Sequence, residues 1–316
     1  MRSLNNDNIG ICILAHNRLR HLKKNLNAVI KFKNKKDKIF IFLDVHSNKD
    51  STKKILLCKK VQKYLENFKS NKILVLKSKN NIGPKKNWYR AYGYMFKIYK
   101  KVIVLEDDIV IKKNFLNFMR FYLNKFEKNS KIMSITGYSS HVKLPKNYNY
   151  DCYLSNRSMS WSKATWKRVW VQFKKINTNH KNIINNKKNL SLLSRAGEDL
   201  TRTIKLDYLK MVNSFQVWWI WNIIKNKGYC INPVKNLVNN IGFDGSGYHM
   251  FKKESFSFNK NNSLKNKKMN KPYYLEIINF SFQKNFKMKL FSFLCFKYLH
   301  INIINILMKL KFRLNK

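Results

Sequence analysis

Four short, uninterrupted apolar runs, each closed by a polar cluster, constrain this chain more than any other feature. They are Ile9 to Leu14 in NIGICILAHNR, the run ending at Asp44 in DKIFIFLDVHSN, the run inside NKILVLKSKNNIGPKKN, and KVIVLEDDIVI, which breaks at its acids. Continuous apolarity, as opposed to alternation, marks strands buried on both faces. Between the runs lie segments at helical spacing. Leu19, Leu22, Leu26 and Val29 recur in the first, STKKILLCKKVQKYLENF opens on Ser51 as a cap, and NWYRAYGYMFKIY supplies the third. The order β-α-β-α-β-α-β predicts an α/β fold whose mostly parallel sheet is flanked by helices on both faces.

After about residue 130 the pattern changes. KIMSITGYSS reads as a further strand and SWSKATWKRVW is rich in tryptophan. The polar stretch through AGEDLT reads as loop plus helix, and NSFQVWWIW onward as helix, strand and glycine-rich loop. The reading divides residues 1–250 into halves at 130, followed by a Lys/Asn-rich linker over 251–285 and a basic amphipathic tail over 286–316, a C-terminal helical extension.

The 316 residues carry 65 Lys plus Arg against 16 Asp plus Glu, a formal net charge of +49, yet 44% are hydrophobic. Such a chain folds, and its charge calls for anionic surroundings: nucleic acid, an anionic membrane face or phosphate-bearing substrates. A compositional bias towards Lys, Asn and Ile would leave the same mark on an ordinary surface. The basic residues are spread along the whole chain and no nucleic-acid module appears, so no nucleic-acid partner is expected. Five scattered cysteines without a CxxC pair predict no disulfide framework and a reducing, cytoplasmic setting. The apolar run at the N-terminus is short and wrongly flanked for a signal peptide, and no stretch is long enough for a spanning helix.

In a doubly wound sheet, ligands bind beyond the carboxyl ends of the parallel strands. The strand ends here carry His16-Asn17-Arg18, Asp44, Asn80-Asn81 and Glu106-Asp107-Asp108. These should converge on one edge, the last group as donors to Mn2+ or Mg2+ shared with substrate phosphates. In an extended segment Glu106 and Asp108 would share one side and Asp107 the other, which favours Asp108 on the metal and Asp107 or Glu106 on a sugar hydroxyl. The alternative is a surface turn whose acids pair with nearby lysines.

These residues resemble the GT-A-fold glycosyltransferases, in particular the family 2 sugar transferases of bacterial surface-polysaccharide synthesis, and loosely the N-acetylglucosaminyltransferase I group. The resemblance spans roughly residues 8 to 250 and rests on IGICILAHNRLRHLKKNLNAV, KNNIGPKKN, VIVLEDDIVIKKNFLNFM, SWSKATWKRVW and NPVKNLVNNIGFDGSGYH. It implies a Rossmann-like GT-A domain, with 1–130 binding the nucleotide and 131–250 the acceptor. The implied reaction is transfer of a hexose from a nucleotide-sugar donor, with inversion, to the hydroxyl of a glycan or lipid-linked glycan such as lipopolysaccharide, O-antigen or capsule.

Carried over residue by residue, the resemblance puts Asp108 and His249 on the metal, and Asn17, Arg18, Asp44, Asn81, Asn87, Glu106 and Asp107 around the donor. His249 also reads as an ordinary loop histidine. Gly242, Gly245 and Gly247 would let backbone approach a ligand closely, or would simply form a turn. The general base is where this chain departs from the pattern: Asn213 stands where the resemblance has Asp, and an amide cannot take a proton. Asp199 or Glu198 in AGEDLT is the substitute, unless the chain binds donor without transferring it. Trp161 could stack on a sugar, while Trp166, Trp170, Trp218, Trp219 and Trp221 read as core. The lysine-bearing tail reads either as a membrane-surface segment at the inner membrane or as a helix packed on the core.

Overall fold

The computed structural model describes residues 9–68, 72–139, 142–146, 148, 150–176, 178–244, 299, 302–304 and 306. The four apolar runs form strands β1 (Ile9–Ala15), β2 (Ile39–Leu43), β3 (Ile73–Lys77) and β4 (Lys101–Glu106). Helices α1 (Leu19–Phe32), α2 (Thr52–Glu66) and α3 (Gly83–Ile98) connect them. All four strands are parallel, in the order β3-β2-β1-β4. Every residue of β1 and β2 is buried, as continuous apolarity requires, whereas β3 at the sheet edge has only Ile73 buried, Leu74 and Leu76 half-buried, and Val75 and Lys77 exposed. Gly10 in β1 is needed for close packing: a Cβ there would sit 2.5 Å from Met95 Cε and 2.6 Å from Tyr99 Cδ2.

The fourth run does not continue as one strand. The chain turns at Asp107-Asp108 and leaves the main sheet as β5 (Ile109–Ile111). There follow α4 (Phe115–Lys125), β6 (Ile132–Thr136), β7 (Cys152–Ser155), β8 (Ser162–Trp166), α5 (Lys167–Lys175), the short α6 (Lys181–Ile184), α7 (Lys187–Ser194), α8 (Asp199–Tyr208), α9 (Phe215–Lys225), β9 (Tyr229–Pro233) and β10 (Val238–Asn240). The sheet is completed in the order β4-β8-β6-β9-β7, with β8 antiparallel to β4 and β6, β9 parallel to β6, and β7 antiparallel to β9. The architecture is therefore the expected mixed α/β sheet, mainly parallel and flanked by helices. Strand β10 pairs instead with β5, Asn240 opposite Ile109 and Val238 opposite Ile111. That small ribbon brings residues more than a hundred positions apart to the end of β4.

Tryptophans fill the core as expected: Trp166, Trp170, Trp218, Trp219 and Trp221 are buried, and Trp166 Nε1 donates to Leu123 O at 2.9 Å. Among them lies Lys163 of β8, with 0% of its surface exposed. Its ammonium donates to Gln216 Oε1 at 2.6 Å and sits 4.9–5.2 Å from the ring centroids of Trp88, Phe215 and Trp219. Burial drives this amine down to about 7, while the ring faces favour its charged form.

Of the predicted tail, Leu299 and Ile304 pack with Leu206, Leu209, Met211 and Val212 next to α8. The predicted linker over 251–285, with Gly245, Gly247 and His249 before it, lies outside the described residues. No helix among the described residues is long and apolar enough to cross a membrane.

Lys163 gives the fold a testable pH dependence. Its folded-state pKa lies below the unfolded value, so folding sheds a proton that the unfolded chain keeps. Its contribution to stability rises between about pH 7 and pH 10.5. Lys163→Met should therefore help most, relative to wild type, near pH 7, and the advantage should shrink as pH rises through that window. Parallel denaturant curves at pH 7 and pH 9.5 measure it, and a constant difference would contradict the assignment.

Candidate functional site

A cavity of about 640 Å³ opens where β1, β2 and β4 end. Its walls include His16, Asn17 and Arg18 after β1, Asp44 after β2, Asn81 in the loop before α3, and Asn87 and Trp88 within α3. Glu106, Asp107 and Asp108 line the side at the end of β4. The far wall is built from Trp161, Asn213, Asn240, Gly242 and Phe243. The strand ends thus converge as expected, and both halves of the chain contribute.

The acids occupy a turn, so the alternation expected for an extended segment does not apply: Asp107 and Asp108 address one cation. The Arg18 guanidinium donates through Nη2 to Asp107 Oδ1, and its Nη1 lies 2.8 Å from Asp108 Oδ2. Both carboxylates are buried and Glu106 is partly so. Burial, and then the charge on Asp108, pushes the Glu106 carboxyl up to about 8, with Arg18 pulling the other way. Burial also raises Asp107 against the opposing pull of Arg18. For Arg18, burial alone would lower the pKa, but the charges of Asp107 and Asp108 carry it above its ordinary value.

The turn is fixed from three directions. Asn25, on the buried stripe of α1, donates to the carbonyls of Glu106 at 2.9 Å and Ile109 at 2.6 Å. Ile241 N donates to Asp108 O at 3.0 Å, extending the β5–β10 ribbon to the acid itself. His21 Nε2 lies 3.1 Å from Ile241 O and 3.1 Å from Asp244 Oδ2. The glycine after Ile241 is sterically required, since a Cβ on Gly242 would fall 2.2 Å from Asp108 Oδ2 and 3.1 Å from Arg18 Nη1. Asn25 and His21 were not anticipated, although a polar side chain inside the Leu22, Leu26 and Val29 stripe was the available signal.

Asp44 lines the cavity but is fully engaged by the protein. Its Oδ1 accepts from Ser78 Oγ and Ile82 N, both at 3.0 Å, and its Oδ2 from Gly83 N at 2.9 Å and Asn81 Nδ2 at 3.3 Å. Helix α3 has no capping side chain of its own at Ile82, and Asp44 supplies one from β2. Its role is to hold the β3–α3 loop that presents Asn81. Asn87 donates to Phe42 O at 3.0 Å and keeps a buried Oδ1 without a partner.

The substitute bases are placed elsewhere. Neither Glu198 nor Asp199 lines the cavity. Asp199 is gripped through both oxygens by Arg157, at 2.8 and 2.9 Å, and Arg157 also donates to Ala196 O. This pairing holds the start of α8 and sets Asp199, expected as a base, against Arg157 outside the cavity lining. Asn213 does reach the cavity. Trp161 is there too, 3.9 Å from the Tyr138 ring and 5.5 Å from that of Phe243. The remaining metal expectation, His249, lies outside the described residues.

A metal can be weighed against the side chains present. Among the described residues no group of three or more His, Cys, Asp or Glu could hold one. One carboxylate oxygen nonetheless stands out. Asp108 Oδ1 is the sole buried carboxylate oxygen among the described residues that has no hydrogen-bond partner. A short donor set with one buried, unpartnered carboxylate oxygen fits a hard divalent ion that completes its shell with phosphate oxygens and water, and does not fit a closed structural site.

The sequence matches no family model and no curated protein sequence. Among solved structures, GalNAc-T7 with UDP, GalNAc and Mn2+ is 11% identical at a TM-score of 0.48, covering 73% of this chain and 43% of that one. TarS from S. aureus, in complex with UDP-GlcNAc, is 13% identical at 0.40 over 73% and 57%. A cytidylyltransferase from Leptospira borgpetersenii is 14% identical at 0.34 over 54% and 66%.

Two substitutions probe these contacts. Asp44→Ala strands the α3 N-terminus and the Asn81 loop and should cost about 3 kcal/mol of stability in denaturant unfolding. Gly242→Ala should displace Asp108 or Arg18 at a cost of about 1–3 kcal/mol. Wild-type stability in either variant would show that the contact is absent.

Proposed function

We propose that this chain is a GT-A-type glycosyltransferase that moves a sugar from a nucleotide-sugar donor to an acceptor hydroxyl with help from Mn2+ or Mg2+. One observation carries the reading. Two segments singled out in the sequence, Glu106–Asp108 and Asn240–Gly242, are laced together by the β5–β10 ribbon at Asp108, whose Oδ1 is left without a partner, beyond the carboxyl ends of parallel strands. A bound divalent ion would neutralise charge developing on the diphosphate leaving group.

In this reading Asp108 holds the metal edge, and Asp107 and Arg18 set the charge around it. Asn17, Asn81 and Asn87 offer amide donors and acceptors to the nucleotide and sugar, while Asp44 positions Asn81. Trp161 and Phe243 form the aromatic wall for a glycan acceptor. Of the cavity carboxylates, Asp44 is taken up by hydrogen bonds from Ser78, Asn81 and the α3 N-terminus, while Glu106 takes part in no ion pair among the described residues. A bacterial surface glycan as product, an inverting course and a cytoplasmic, membrane-peripheral location follow from the sequence resemblance and belong to the same proposal. A second reading is favoured by Asn213, which lines the cavity without being able to take a proton: a relative that binds nucleotide sugar and does not transfer it.

Calorimetric titration with a panel of nucleotide sugars, with and without Mn2+, tests both. Metal-dependent donor binding is expected, and Asp108→Asn should lose it while keeping the circular dichroism spectrum of the folded chain. At a hundredfold excess over Kd, donor should stabilise wild type by about 2.7 kcal/mol. Binding with no transfer to any acceptor pool selects the second reading, donor binding that does not depend on metal rejects the first, and no binding to any donor rejects both.

A further inference from the structure

Arg18 stands in an unusual relation to the unpartnered, buried oxygen of Asp108. Its guanidinium occupies Oδ2 of Asp108 at 2.8 Å and also grips Asp107, while Oδ1 of the same Asp108 faces no partner. The guanidinium is held in place, since the Gly242 backbone closes over both Arg18 Nη1 and Asp108 Oδ2. Asp108 is 7% exposed and Arg18 is mostly buried, so solvent screens this group weakly. A divalent ion arriving at Oδ1 would meet a fixed positive charge on the other oxygen of the same carboxylate. Like charges at that separation oppose each other strongly outside bulk water.

We propose that Arg18 is an internal counter-cation that competes with the divalent ion for Asp107 and Asp108, so that the ion binds tightly only when an anionic diphosphate arrives to take up the guanidinium. This rests on the metal-dependent reading above and specifies its order of events: metal and diphosphate enter together. Arg18 lines the same cavity, so a diphosphate placed there is within its domain. A guanidinium that releases a carboxylate fork finds an equivalent one in a phosphate. The site then keeps a near-constant charge, with Arg18 compensating the acids before the donor binds and the donor's anion afterwards.

The test is a titration of Mn2+ alone against the full chain, followed by electron paramagnetic resonance of the free ion, with no donor and no turnover. Arg18→Gln should bind Mn2+ at least about tenfold more tightly than wild type, within the 5–150-fold range usual for coupled sites. Arg18→Lys keeps a positive charge but cannot fork across two carboxylates, and should gain less. It also serves if the glutamine variant fails to fold. Addition of a nucleoside diphosphate should tighten Mn2+ binding more in wild type than in Arg18→Gln. Were both variants to bind Mn2+ no more tightly than a wild type that binds it measurably, competition would be refuted and Arg18 would be a donor contact only. No Mn2+ bound by any of the three proteins, with or without the diphosphate, would instead overturn the metal reading and this proposal together.

Discussion

Asp107 and Asp108, both buried, share the end of β4 with Glu106, and the Arg18 guanidinium is the charge that makes the arrangement tolerable. Carboxylates so close repel one another, and burial penalises each further. Without a cation they would protonate or the turn would open. Removing one partner from a buried ion pair commonly costs about 3–5 kcal/mol, because the charge left behind has nothing to meet it. The rest of the site is arranged around that turn. Asn25 ties its carbonyls to α1, the β5–β10 ribbon fixes its exit, and Gly242 leaves room for the guanidinium. A change at Arg18 therefore bears on local stability and on ligand charge at once.

The strands and the edge they share were legible because their cause is local. A run such as IFIFL or VIVLE is apolar at every position only if both faces are covered, and each such strand hands its next polar residue to the same edge. Residues 16–18, 44, 81 and 106–108 meet there for that reason. Less could be read where the cause is a partner far along the chain. Nothing next to Asp44 in sequence shows that α3 lacks its own cap and takes one from β2. Nothing near AGEDLT announces that Arg157 holds Asp199 by both oxygens. An acid at the head of a helix looks the same in sequence whether it awaits a substrate or is already paired.

Lys163 marks another limit. It sits in SWSKATW, where the surrounding tryptophans suggest an apolar strand, and β8 is indeed buried throughout. The strand accepts an ammonium because three rings and the Gln216 amide surround it. Trp88 belongs both to that cage and to the wall of the cavity, and it stacks on Phe215 at 5.1 Å. The charge state of a core residue is thereby tied to the position of a wall residue, a coupling no periodicity in the sequence could express.

The scarcity of acids sharpens the meaning of each one. With 16 carboxylates against 65 basic residues, a buried acid in this chain has no shortage of cations to pair with. The buried acids outside the turn are correspondingly well served. Asp37 meets Arg120 at 2.6 Å and the Asn34 amide, Asp44 accepts four donors, and Asp207 joins Ser214 N, Trp218 Nε1, His180 and Lys85. Asp44 and Asp207 have both oxygens taken up, and Asp37 Oδ2 is shared by two donors. Against that background Asp108 Oδ1, buried and unpartnered beside a guanidinium, is an exception to how the rest of the molecule treats negative charge. An unsatisfied buried oxygen carries a desolvation cost of about 1–3 kcal/mol or more when charged. Among the described residues it is the one buried carboxylate oxygen left without a partner, and it stands where the parallel strands of the sheet end.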